Sequence, residues 1–169
     1  RLYSMSKPVT SVAALILAVE GGLQLDAPVA DYLPAFAGLQ RVAGGSVEAP
    51  ELVPVQRVLT VRHLLAHTAG FATGGDDIRV ASALLQAEAP EDATDLAGYA
   101  QRVARAPLAT EPGTRFRYDG VNTEVLARVV EVASGQPFDV FLRTGIFRPL
   151  GMHDTGFDVP LAQRGRVMA

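Results

Sequence analysis

Ser4 and Lys7, in the run Ser4-Met5-Ser6-Lys7, are the first residues of this chain whose types and spacing could do chemistry. Behind them runs Pro8 to Glu20, with apolar residues at 9, 12, 13, 15, 16 and 19 and a double glycine at 21 and 22. That periodicity predicts a helix with one broad apolar face, stopped by the glycines. Pro8 falls in its first turn, where a missing N–H costs little. Residues at i and i+3 share a helix face, so Ser4 and Lys7 point the same way. A helix start also offers free N–H groups to developing negative charge. A nucleophilic serine with a lysine partner needs this arrangement. The same four residues also fit Ser4 as an N-cap and Lys7 as a solvated charge, so the rest of the chain must decide.

Composition narrows the possibilities. A length of 169 residues, 49% hydrophobic and 20% charged, suits one globular domain with a real core. The net charge of −3, without a basic block, leaves no electrostatic footprint for nucleic acid. No apolar run reaches membrane-spanning length. The absence of cysteine removes disulfides and thiolate metal ligands.

The elements that must position the pair follow in order. Asp26 is placed to cap a short helix with Pro28 in its first turn and Pro34 at its end. Residues 35–58 read as an irregular excursion with one small hairpin, Gly44-Gly45 as its turn and Val42, Val53, Val55 and Val58 in short strands. Thr60 caps a compact helix through Thr68, stopped by Gly70. Residues 71–93 are loop-like, with a helical turn around Val80 to Gln86. Thr94 caps a helix with Leu96, Tyr99, Ala100 and Val103 inward. Glu111-Pro112-Gly113-Thr114 is a turn, and Arg115 to Tyr118 is extended. Asp119 or Asn122 opens a helix burying Val121, Val125, Leu126, Val129 and Val132 before Gly135. Pro137 opens another, with Phe138, Phe141, Leu142 and Ile146 inward. About six helices and almost no strands make the chain mostly α.

Other candidate groups weigh less. His63 and His67 stand at i and i+4, a spacing that can hold zinc, but the catalytic form needs Glu after the first His and Leu64 is there. His153 lies in a turn and is read as solvated. Gly74-Gly75 lacks the spacing and the strand–helix context of a phosphate loop. The carboxylates are dispersed, and neither a cofactor nor a metal site is expected.

Several stretches, taken in order, carry a resemblance. They are Ser4-Met5-Ser6-Lys7, Leu25 to Pro34 (LDAPVADYLP), Val61 to Phe71 (VRHLLAHTAGF), Tyr118 before a valine-rich helix, and Ile146 to Met152 with Asp154 to Phe157. Together they resemble the serine β-lactamase superfamily, in particular its class C β-lactamase-like branch. Val42 to Glu51 looks more specifically like the family VIII carboxylesterases.

The resemblance implies an α/β fold, an antiparallel sheet flanked by helices and joined to a helical subdomain. The sequence matches the nucleophile helix, residues 1–22, and the helical subdomain, residues 23–169, as a single partial domain. The sheet and the third active-site motif are expected largely outside it. The resemblance also implies Ser4 as nucleophile, Lys7 and Tyr118 as a coupled proton-transfer pair, and the Ser4 N–H as one oxyanion donor. The helix bearing His63 and His67 is scaffold in that family. The lactamase pattern Tyr-x-Asn is broken, because Gly120 holds the third place; Asn122, two residues on, is carried as a candidate substrate-binding residue. The departure suits an esterase, and the expected substrate is a small-molecule carboxylic ester of short acyl chain. The alternatives are a β-lactam or D-amino peptide, or a silent binding module for this piece alone.

Overall fold

The computed structural model describes residues 2–71 and 73–166. A 3₁₀ turn, Tyr3–Met5, leads into α1, Ser6–Val19. α2 (Val29–Tyr32) precedes a hairpin of β1 (Gln40–Gly45) and β2 (Pro50–Pro54), followed by α3 (Val61–Leu65). Next come α4 (Arg79–Ala87), α5 (Leu96–Arg105), α6 (Gly120–Ser134) and α7 (Phe138–Leu142), which continues into a π-helical turn, Arg143–Phe147.

α6 is the centre of this arrangement. Asp119 accepts from the Val121 N–H at 2.9 Å, and Gly135 ends the helix at φ 67. A carboxylate cap fills an orphan donor and suits the positive end of the helix. Val121, Val125, Leu126, Val129 and Val130 are all 2% exposed or less, so one broad face of α6 is apolar and buried. It contacts α1, α2, α3, α5 and α7. Val132, expected inside, is 39% exposed, and Val130 takes the inward place.

α1 differs from its expected single face. Thr10, Ala13, Ala14 and Leu17 are buried, Val9 and Ile16 half-buried, and Val12, Leu15 and Val19 face outward. An apolar run leaves the choice of face to packing, and Ala13 and Ala14 are fully buried. Two expected caps also differ. Pro28, not Asp26, precedes α2, and Asp26 instead takes a bidentate pair from Arg62 at 2.6 and 2.8 Å. Asp95, not Thr94, caps α5 by accepting from the Gly98 N–H at 2.7 Å. The helical turn expected within 80–86 is the nine-residue α4.

The excursion holds a hairpin, antiparallel with a shift between Val42 and Gly44; Val42 and Val53 are in its strands, whereas Val55 and Val58, expected there, lie beyond β2. Gly44 and Gly45 pair within β1, and the turn is made by Ser46 to Ala49, whose N–H and C=O close at 3.1 Å. The hairpin is tied to the chain ahead of α6. Val42 N–H donates to the Leu108 carbonyl (2.9 Å), and Leu108 N–H to that of Gln40 (2.8 Å). Glu111 accepts from Arg41 Nε at 2.8 Å and from the Gln56 and Arg57 N–H groups.

Residues 109–117 then run as a strap along the turn after α3. Ala109 N–H donates to the Gly70 carbonyl, Gly113 N–H to Thr68 and Arg117 N–H to His67, at 2.8, 2.7 and 2.8 Å. Gly70 is obligatory here, because its φ is 94° and a Cβ would lie 2.3 Å from the Thr110 carbonyl oxygen. Through this strap the fold delivers Tyr118 to the start of α6.

Leu126→Ala should lower unfolding stability by about 2–5 kcal/mol through lost burial and a residual cavity. Val132→Ala, on the exposed side of the same helix, should change it by no more than about 0.5 kcal/mol. Denaturant titration of both variants measures the contrast.

Candidate active site

Ser4 lies in the 3₁₀ turn just before α1, and Tyr3 ahead of it takes φ 46. A bulky residue avoids that region, so the turn in front of Ser4 is strained. Lys7 is in the first turn of α1, and its Nζ donates to Ser4 Oγ at 3.4 Å. The same Nζ is 5.3 Å from the centroid of the Tyr118 ring, within cation–π reach. The 3.4 Å contact is long for a hydrogen bond, as such contacts often are before substrate tightens them. Among the described residues no carboxylate forms an ion pair with Lys7. Its ammonium is addressed to the hydroxyl and the phenol. Ser6 is occupied differently, donating from Oγ to the Tyr3 carbonyl at 2.6 Å.

Tyr118 is 56% exposed. Its phenol is held below the ordinary value near 10. The first cause is hydrogen bonding with the Ser4 hydroxyl, and the Lys7 ammonium acts in the same direction. The structure thus brings Ser4, Lys7 and Tyr118 to one place.

Asn122 is not brought there. It is 1% exposed, and its Nδ2 donates to the Asp119 carbonyl at 3.3 Å. Its Oδ1 has no partner among the described residues. Its position in the first turn of α6 faces the core, because the helix starts at Gly120 and not at Asn122.

Two groups to which the sequence assigned no part in the chemistry border the site. Asp119 is 3% exposed, and its carboxylate accepts from Thr73 N–H (2.8 Å), Thr73 Oγ1 (2.7 Å) and Val121 N–H (2.9 Å). It fixes the loop over α4 to the start of α6. His67 stacks on Tyr118 with ring centroids 4.9 Å apart, and its Nδ1 accepts from the Asp119 N–H at 3.2 Å. His63 serves a separate bond, its Nδ1 accepting from the Thr60 N–H at 3.2 Å in the manner of a capping box. Residue types gave no hint of this division: α3 ends at Leu65, short of the expected helix, so His63 lies on it and His67 in the left-handed turn beyond.

Glu124, one turn into α6, is half-buried beside Tyr99, whose hydroxyl donates to Oε2 at 3.4 Å. Burial first, and then Glu91, push its carboxyl up, while the Lys7 ammonium opposes the rise. An open groove of about 1420 Å³, lined by Tyr3, Ser6, Tyr99 and Glu124 among others, runs beside Ser4 and not over it.

Residues 1–169 match the Beta-lactamase family model. The chain belongs to the β-lactamase family of serine hydrolases. It is 36% identical over 162 residues to esterase EstB of Burkholderia gladioli, covering 93% of this chain and 38% of that protein. A putative D-alanyl-D-alanine carboxypeptidase of Escherichia coli K12 is 30% identical over 152 residues, covering 88% of this chain and 31% of the relative. Among solved structures, EstCE1, described as a hydrolase with promiscuous acyltransferase activity, superposes with a TM-score of 0.71. It is 28% identical, covering 94% of this chain and 39% of its own. The chain therefore spans about two-fifths or less of the relatives it matches.

Ultraviolet difference titration should show Tyr118, identified by its loss in Tyr118→Phe, ionising below the usual phenol value near 10. Ser4→Ala and Lys7→Ala should each move it upward. An unchanged titration in both variants would contradict the electrostatic link.

Proposed function

We propose that the protein is a serine hydrolase cleaving carboxylic esters of short acyl chain, with Ser4 as nucleophile and Lys7 and Tyr118 as a coupled acid–base pair. The observation that carries this reading is the single Nζ shared between the Ser4 hydroxyl, at 3.4 Å, and the Tyr118 ring. A serine hydroxyl is a poor nucleophile until a base takes its proton. Lysine is a usable base where burial and nearby dipoles favour its neutral form, and a phenolate drawn toward ionisation by Ser4 and Lys7 is another. Lys7 and Tyr118 are proposed to act as one unit, with the proton shared between them.

In the proposed cycle Ser4 Oγ attacks the ester carbonyl carbon as its proton passes to the pair. The tetrahedral oxyanion is met by the Ser4 N–H, and a second donor completes the hole. The C–O bond to the alcohol breaks, and the pair returns the proton to the leaving oxygen. Water then attacks the acyl-Ser4 carbonyl, losing a proton to the pair. The acid departs as Ser4 Oγ is reprotonated. The chain's span of about two-fifths of EstB supports placing the flanking antiparallel sheet, and with it the second donor, in sequence outside residues 1–169. Residues 1–169 are read as one partial domain of that larger fold.

A β-lactam or D-amino peptide as main substrate is the second reading, favoured by the similarity to the putative carboxypeptidase. Against it stands Gly120, where the lactamase pattern has an Asn side chain to hold an amide, with Asn122 turned into the core. Asn122 is accordingly proposed to support the start of α6.

On the intact protein, kcat/KM for p-nitrophenyl butyrate should exceed that for a chromogenic cephalosporin; the reverse order would favour the lactamase reading. Lys7→Ala and Tyr118→Phe should each lose at least about 10²-fold in kcat, the low end of what general base work supplies. A near-wild-type rate for either removes that residue from the mechanism.

A further inference from the structure

His67 takes a left-handed backbone conformation, φ 52. For a residue with a Cβ that conformation persists where surrounding contacts over-determine it. Here three contacts reach three consecutive residues. The His67 carbonyl accepts the Arg117 N–H at 2.8 Å. Its imidazole face lies on the Tyr118 ring, the planes inclined by 34°. Its Nδ1 accepts the Asp119 N–H at 3.2 Å. Phe116 closes the edge of the same ring at 6.3 Å. Thr73 grips Asp119 separately, through the carboxylate. Tyr118, more than half exposed, therefore owes the setting of its ring to the His67 face and to Lys7.

From this geometry we infer that His67 is a positioning residue for Tyr118, acting as a neutral imidazole with Nδ1 as acceptor and the proton on Nε2. The inference rests on Tyr118 belonging to the acid–base pair proposed above. A protonated His67 would set an Nδ1–H against the Asp119 N–H, donor to donor, and release residues 117–119. The charged and titratable groups facing the imidazole are Lys7 from α1, Tyr118 beneath it, and the Asp119 carboxylate at the head of α6. Burial first, and then the Lys7 cation, favour the neutral ring; the Asp119 backbone contact and, less strongly, the Asp119 carboxylate work against them, and the balance lies below the ordinary 6.5. The sign follows from proton uptake. The unfolded chain binds this proton more readily than the fold does. The grip is therefore complete above pH 6.5 and is lost as pH falls through the lower folded value.

The test uses the intact protein carrying ¹³C at tyrosine Cζ, the Tyr118 resonance being assigned by its loss in Tyr118→Phe. The comparison variant is His67→Asn. Its Oδ1 can stand where Nδ1 stands, asparagine tolerates the left-handed region, and the side chain does not titrate. As pH is lowered from about 8 to about 5, the wild-type Tyr118 resonance should move below the ordinary histidine value. In His67→Asn that movement should be absent. In parallel, the acid limb of kcat/KM should vanish in His67→Asn. His67→Ala should lose about 10²-fold in kcat with KM little changed, as a displacement near 1 Å would cost.

A wild-type resonance that stays flat over this range, or one that moves equally in His67→Asn, overturns the inference. The resonance needs no turnover. Absent ester hydrolysis with an intact resonance response would therefore count against the proposed function and leave the positioning role standing.

Discussion

The packing of α1 against α6 is the constraint on which the site depends. Ser4 and Lys7 stand at the head of α1, Tyr118 at the head of α6, and more than a hundred residues separate them along the chain. They meet because the two helices are in contact and their starts lie together. On α1 the buried residues are Thr10, Ala13, Ala14 and Leu17, with both alanines fully buried. Enlarging an alanine there would cost about 1–3 kcal/mol of overpacking and would also separate the two helix heads. Stability and the geometry of the proposed reaction thus draw on one interface.

The second constraint is how the head of α6 is anchored. A helix start sets a backbone direction but not the place of the residue two positions ahead of it. The Asp119 carboxylate takes three donors, from Thr73 and Val121, with 3% exposure, and the strap hands Arg117 to His67. Buried carboxylates are tolerable when their lone pairs are filled, and then they rigidify what they touch. Around the exposed Tyr118 phenol the polar groups are ordered in layers: hydroxyl and ammonium at the ring, neutral imidazole behind it, carboxylate beneath.

Much of this was legible in the residues. The Ser4–Lys7 spacing, the hairpin between 35 and 58, the turn at Glu111 to Thr114 and the start and stop of α6 are local signals, and the structure carries each of them. What was not legible depended on tertiary partners. α1 is apolar nearly all round, so only its neighbour decides that Ala13 is inside and Val12 outside. Asp26 reads as a cap until Arg62, far along the chain, takes it. Thr94 and Asp95 are equally plausible caps by type, and one hydrogen bond separates them. Asn122 looked available because the helix could have begun there; Asp119 began it earlier and turned Asn122 inward. His67 gave no signal beyond its spacing from His63, since its role lies in contacts fifty residues away.

The central claim is that Ser4, and not its neighbour Ser6, is the reactive hydroxyl. Ser6 Oγ is spent on the Tyr3 carbonyl, whereas Ser4 Oγ receives the Lys7 ammonium. Labelling the intact protein with a serine-reactive phosphonate and mapping the adduct by peptide mass spectrometry tests this most directly. The account predicts one adduct, on Ser4, abolished by Ser4→Ala and retained in Ser6→Ala. An adduct on Ser6, or labelling that survives Ser4→Ala, would contradict it.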